Sequence, residues 1–335
     1  MSLAQRVPAP ALGAARRVKH LVQPLYESAR LQASADQKAL RARVHAAMEL
    51  PRLPRRARVR GSVWAVTMVK NEADIIGTTL DHLLSQGVDG IIVADNGSTD
   101  ATPDIVAGFA ATGRVHLARD REFSYLQSQK MSLLADTARS AGADWIVPFD
   151  ADELWFAPGA CLAEGLRATD SPKAGARMYC LFPGTDSQLG DGSWRIDRLR
   201  YPYWLDKVAF RSHPMASLKQ GNHTVLRPGE QTPALGLIHI PWRSFEQFRT
   251  KVRQGAAARR ATIGGSELGG LHWLSLDKLS DAELRHEWGR LLGGVGHEDL
   301  GWMPRGELVP CEPLGWKTWD PEGLLTPVGV DESPA

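Results

Sequence analysis

The chain has 335 residues, 43% of them apolar and 23% charged, with a formal net charge of +2. That is an ordinary composition for a soluble protein, long enough for one large domain or two modest ones with a sizeable core. No apolar stretch approaches the roughly 18 residues of a membrane span. The N-terminus lacks the order of a signal peptide, and Cys161, Cys180 and Cys311 stand too far apart for a CxxC metal site or a disulfide framework. These features exclude integral-membrane, zinc-scaffold and disulfide-scaffold classes and make a reducing, cytoplasmic compartment the default.

Residues 1–60 carry 13 Lys/Arg against Glu27, Asp36 and Glu49, a surplus of +10 that the rest of the chain offsets. The run Arg52 to Arg60 is a dense basic linker. It reads either as a solvated leader, helical or disordered, or as a segment that touches anionic lipid headgroups at the inner face of a membrane. No nucleic-acid partner is expected.

From Ser62 the pattern is regular. Val63–Val69 reads as a β-branched, apolar strand. A helix follows, with Asn71 as its N-cap, Glu72 and Asp74 in its first turn, and Ile75, Ile76, Leu80, Leu83 and Leu84 as its apolar stripe. Gly87 ends it. Gly90–Ala94 is the next strand, running into the loop Asp95-Asn-Gly-Ser-Thr-Asp100, and Thr102-Pro103 opens a second helix. Residues 114–118 predict a third strand, 125–141 a long helix, and Trp145–Phe149 a fourth strand. Strands alternating with helices imply an α/β fold with a mainly parallel sheet flanked by helices. Short strands at 176–182 and 206–211 and an amphipathic helix at 245–258, with Phe245, Phe248 and Val252 inward, belong to a less regular second half.

Trp145-Ile-Val-Pro-Phe-Asp150-Ala-Asp152-Glu153 is the most informative segment, because a buried strand ends in three carboxylates within four residues. Open α/β sheets bind ligands at the C-terminal edge, where such a strand delivers them. Crowded carboxylates repel unless a cation sits between them, and oxygen ligands suit Mg²⁺ or Mn²⁺. A cation there could grip a diphosphate.

Thr67-Met-Val-Lys-Asn-Glu72, Ile92-Val-Ala-Asp-Asn-Gly-Ser-Thr-Asp100 and Phe149-Asp-Ala-Asp-Glu153 occur in the order and spacing of family 2 glycosyltransferases, which have the GT-A fold. The chain resembles that family over roughly 62–255. The run from Leu237 through His239 to Lys251 is similar to a bacterial branch carrying a His-Tyr-Pro-x-Arg-Ser segment. The resemblance implies a nucleotide-sugar-binding half (61–157), an acceptor and metal-completing half (158–262) and a Gly-, Pro- and Trp-rich extension (263–335). It implies an inverting, metal-dependent, hexosyl-type transferase acting from a nucleotide-sugar donor, usually a UDP-sugar, on a glycan or glycolipid hydroxyl in polysaccharide biosynthesis.

Residue by residue, the resemblance places Val69, Lys70, Asn71 and Glu72 beside the base and ribose. Asp95 corresponds to the acidic residue that hydrogen-bonds the base; Asn96 departs from the family's frequent Asp-Asp. Asp150, Ala151 and Asp152 match the DxD segment, with Asp150 and Asp152 toward ribose and metal and His239 completing the metal's shell. Lys130 either reaches the diphosphate or is a solvated helix lysine. The general base is open among His223, Asp186, Asp206 and Glu230. His223, in the turn Gly221-Asn-His223, brings an ordinary pKa of about 6.5, and Asp186 is the carboxylate alternative. Trp155 and Trp242 stand where a sugar could stack, whereas Arg243 and Lys251 read as solvent-exposed or as contacts for an anionic substrate. A nucleotidyltransferase would need a glycine-rich phosphate loop that Val66–Ile75 lacks, and a nicotinamide oxidoreductase a GxGxxG. A non-catalytic domain binding a glycan or a membrane surface is the rival from another class.

Overall fold

The computed structural model describes residues 9–186, 188–261, 271–296 and 300–325. Helices α1 (Ala9–Ala33) and α2 (Ala35–Ala47) lead into the short strand β1 (Met48–Glu49). Strands and helices then alternate: β2 (Val63–Val69), α3 (Ile76–Ser85), β3 (Gly90–Asp95), α4 (Thr102–Ala110), β4 (Val115–Asp120), α5 (Gln127–Ser140) and β5 (Trp145–Pro148). The second half adds β6 (Glu153–Phe156), α6 (Leu162–Ala168), β7 (Lys173–Pro183), β8 (Trp194–Asp197) and β9 (Lys207–Arg211). The hairpin β10 (Ser217–Leu218) and β11 (Val225–Leu226) and the strand β12 (Gln231–His239) follow. Helices α7 (Phe245–Ala261), α8 (Leu271–Leu276) and α9 (Asp281–Leu292) and strand β13 (Leu308–Pro310) complete the described chain.

One sheet runs in the order β1-β4-β3-β2-β5-β9-β7-β12-β6, and β8 joins β7 to β13. Its central strands β4-β3-β2-β5 are mutually parallel, as the alternating pattern requires. The strands beyond β5 are mixed: β9 is antiparallel to β5 and β7, β12 is parallel to β7, and β6 is antiparallel to β12. Successive side chains on a strand face opposite ways. Val63, Ala65, Ile91 and Val93 therefore enter the core under α3 and α4, while Val66, Ile92, Ala94 and Ile146 meet α5. Both faces are covered, which is why these strands read as continuous apolar runs.

Two expectations change. Residues 9–49 form helices and an edge strand: Val44 and Met48 are buried in the core beneath α5, and β1 pairs with β4. The basic stretch that follows crosses the end of α5, with Arg56 N donating to Ser140 O and Val59 N to Gly142 O. Asn71 does not cap α3. It sits in the left-handed region at φ 54°, and the helix begins at Ile76.

Candidate functional site

The order β4-β3-β2-β5 reverses direction between β2 and β5, so the chain leaves the sheet to opposite sides there and opens a crevice at the strands' C-terminal ends. A cleft of about 1600 Å³ occupies that place. Its floor is the end of β2 (Val69, Lys70, Glu72) and the segment after β5 (Asp150, Ala151, Asp152). Asn96, Lys207, His223, His239 and Lys251 also line it.

The turn after β2 is held by the Asp95–Asp100 loop. Asn71 N donates to Ser98 Oγ, Thr99 N to Asn71 Oδ1, Glu72 N to Thr102 Oγ1 and Ala73 N to Asp100 Oδ2. Backbone groups that would otherwise start a helix are satisfied from the neighbouring loop, which explains the delayed start of α3. Asp95 accepts from Ser98 N at 3.3 Å and lines a separate, smaller cavity beside Arg119. Asn71 likewise turns to that loop and away from the cleft lining. Asn96 has a physical reason to be an amide. Its Nδ2 donates to the buried Asp120 carboxylate at 2.8 Å and to Glu122 O at 2.7 Å, where a second carboxylate would be repelled.

Strand β6 turns back directly after Asp152 and pairs with β12 so that His239 stands opposite Glu153. This register brings His239 Nε2 to 3.6 Å from Asp152 Oδ2. Lys251 Nζ, from α7, lies 2.5 Å from the same oxygen, and Arg243 NH1 lies 3.7 Å from it. Burial pushes the Asp152 carboxyl up, but Lys251, His239 and Arg243 outweigh it and hold the group well below the usual range. Burial lowers His239, and Asp152 beside it offsets part of that effect. Asp150 is met by Lys207 Nζ at 2.6 Å and Asn222 Nδ2 at 3.2 Å, and Lys207 also lies 2.9 Å from Glu153 Oε1. Lys207 is buried, which lowers its pKa, yet these two carboxylates raise it further and keep it protonated.

The loop between β10 and β11 delivers the histidine. Gly221 and Asn222 both take positive φ, 79° and 59°, a conformation that costs an L-residue about 1 kcal/mol or more. This turn, in which only Asn222 is strained, places its amide on Asp150. His223 Nδ1 lies 2.9 Å from Leu205 O, so this nitrogen carries the proton and Nε2 is the acceptor. A Cβ at Gly221 would lie 2.8 Å from that Nε2, so glycine keeps it uncovered. Burial, then Lys207, push the imidazole down to about 4.

Several sequence expectations need correcting. Lys130 is neither solvated nor in the cleft. It is fully buried, with Nζ 2.7 Å from Asp120 Oδ2 and donating to Glu122 O. Asp186 is exposed, accepts from Trp288 Nε1 at 2.7 Å and lies away from the cleft lining. Asp206 and Glu230 are not in that lining either, although Asp206 O faces His223 Nδ1. Trp155 and Trp242 are core residues; Trp242 donates to Trp302 O at 2.7 Å. Arg243 is buried and clamps Asp74 at 2.7 Å and Glu72 at 2.5 Å. Sequence reasoning missed Lys207, whose strand lies far along the chain from its partners. It also missed the contribution of α1 and α2, which line the cleft with Glu27, Arg30, Leu31 and Gln37. Trp302, stacked edge-on against His239 at 4.6 Å, adds a contribution from the C-terminal extension.

A divalent cation does not fit this donor set as it stands. Both carboxylates are already neutralised by resident cations. Among the described residues no group of three or more His, Cys, Asp or Glu side chains converges as a metal centre.

Solved structures similar to the chain include Staphylococcus aureus TarS 1–349, at 13% identity over 68% of this chain and 73% of that one, with a TM-score of 0.37. Another is the mannosyltransferase PcManGT from Pyrobaculum calidifontis, in complex with GDP-Man and Mn²⁺, at 17% identity over 82% and 83%, with a TM-score of 0.35. No curated protein matches the sequence. Residues 64–223, which run from the first strand of the alternating unit to His223, match the family model described as glycosyl transferase family 2, and this match supports a glycosyltransferase.

Proposed function

We propose that the protein transfers a sugar from a nucleotide-sugar donor to a hydroxyl of a glycan or glycolipid acceptor, with inversion. The observation that carries this reading is the convergence, in one cleft at the strand-order reversal, of the Val69–Glu72 turn, the Asp150–Asp152 segment and His223. The turn lines the place for a nucleotide, and the Asp150–Asp152 segment brings cationic side chains to where a diphosphate would lie. An inverting displacement needs a single base for the acceptor proton. His223 supports that role because its tautomer leaves Nε2 free to accept. Mn²⁺ or Mg²⁺, expected from the resemblance, would reach Asp152 and His239 only by displacing Lys251. The basic leader, which carries α1 to the cleft mouth, supports a glycolipid acceptor approached at an anionic membrane surface.

The test is a panel of UDP-, GDP-, CMP- and dTDP-sugars, read by thermal shift and by nucleotide release in water. One donor class should raise the melting temperature by mass action and release its nucleotide slowly. His223→Asn should keep the thermal shift and lose release. If no donor shifts the melting temperature or is hydrolysed, the reading is wrong and a non-catalytic surface-binding domain takes its place.

A further inference from the structure

The cleft holds two ammonium groups where a departing diphosphate would lie, each paired with a carboxylate. Lys207 comes from β9 and Lys251 from α7, two elements far apart in sequence, yet both ammonium groups are fixed on the same acidic segment. An ammonium has three N–H donors. Lys207 directs one at Asp150 Oδ2, 2.6 Å away, and its Nζ stands 2.9 Å from Glu153 Oε1. Lys251 directs one at Asp152 and one at Pro241 O, 3.4 Å away. Lys251 therefore keeps one donor for a phosphate oxygen. Their burial differs in a useful way: the Lys207 side chain is 5% exposed and Lys251 24%. Lys207 fixes the floor, and Lys251 is the cation that can reach a ligand.

We infer that Lys251, above a floor fixed by Lys207, forms a diphosphate-binding site that works without a divalent cation, with Asp150 and Asp152 as positioning residues for the two ammonium groups. This inference rests on the nucleotide-sugar reading. In the transfer, the bond from the acceptor oxygen to the anomeric carbon forms as the bond from that carbon to the phosphate oxygen breaks. The bonding pair leaves on the diphosphate, the acceptor proton passes to His223 Nε2, and the Lys251 ammonium donates a hydrogen bond while keeping its proton. Preorganised donors aimed at developing charge can stabilise it as a metal ion does.

The experiment is isothermal titration of UDP, GDP and CDP into the whole chain, in EDTA and again in Mn²⁺, for wild type, Lys251→Met and Lys251→Arg, with melting curves to confirm folding. The expected result is that one nucleotide binds in EDTA within about threefold of its affinity in Mn²⁺, a difference of under 1 kcal/mol. Lys251→Met should weaken binding in EDTA by about tenfold or more, and Lys251→Arg should recover part of it. Binding in EDTA about tenfold or more weaker than in Mn²⁺ would overturn the inference and leave the nucleotide-sugar reading standing. Unchanged binding by a folded Lys251→Met would overturn it too. Failure of every nucleotide to bind under both conditions would remove the nucleotide-sugar reading itself.

Discussion

Replacing His82 should relieve an acid sensitivity built into the core. His82 lies on α3, its Nε2 is 2.8 Å from Trp155 O, and its ring meets Phe156 edge-on at 4.6 Å. Burial, which outweighs the carbonyl hydrogen bond, pushes the imidazole down to about 4 from an ordinary 6.5. The folded protein therefore excludes a proton that the unfolded chain accepts. With the folded value below the unfolded one, stability is complete above pH about 6.5 and falls as pH drops toward about 4. At pH 5 the two values convert to a loss of about 2 kcal/mol relative to pH 7.5. His82→Gln keeps a donor for the Trp155 carbonyl and has nothing to protonate. Urea unfolding followed by tryptophan fluorescence at pH 7.5 and pH 5 measures the difference. The variant should lose about 2 kcal/mol less than wild type between the two conditions. His223 also titrates low, but it is present in both proteins and cancels. Equal losses in the two proteins would show that His82 is protonated without penalty and that the proposed burial effect is wrong.

Arg243→Met should cost about 3–5 kcal/mol of unfolding free energy at pH 7, because it leaves Glu72 and Asp74 without the cation that gathers them. A loss below about 1 kcal/mol in urea titration would contradict the clamp. Asn222→Gly and Asn222→Ala should lower donor turnover by the same factor, since both remove the amide from Asp150. The alanine variant should also be less stable by about 1 kcal/mol, because only glycine takes φ 59° without strain. Equal stability of the two would refute the strain argument, and turnover unchanged in both would refute the amide's role.

The central fold was readable because its strands are buried on both faces and its helices are amphipathic, so each element carries its own signal. The strands at 145–148 and 63–69 emerged nearly to the residue. Strand β6 did not, because Leu154-Trp-Phe156 directly follows an acidic turn and resembles a loop tail. Strand β12 carries Pro233 and Gly236, which mask its period; Gly236 is there because the Trp319 ring occupies the space of a Cβ. The acidic segment was legible, and its partners were not. An ion pair such as Lys207–Asp150 depends on β9 lying beside β5, a register that no local pattern encodes. Lys130 was misread for a related reason. A lysine inside an amphipathic helix looks solvated until Asp120 and the Glu122 carbonyl close around it.

The segment that matches the family model supplies the cleft's floor but only part of its walls. Arg30 and Leu31 on α1 and Gln37 on α2 precede it; Lys251, Trp273 and Trp302 follow it. The outer elements are tied to the sheet by ordinary means. Arg43 on α2 grips Glu122 through both carboxylate oxygens, Ser28 Oγ donates to Met215 O, and β13 extends the sheet through β8. A molecule approaching His223 must therefore pass chain that lies outside the matched segment. The floor, fixed by β2 and β5, sets which phosphate and sugar chemistry is accessible. In the proposed reaction the walls would limit the shape of the acceptor that reaches it. Substitutions at Arg30 or Leu31 should then act on acceptor use and leave donor binding alone, because no donor-facing group on the floor depends on either side chain.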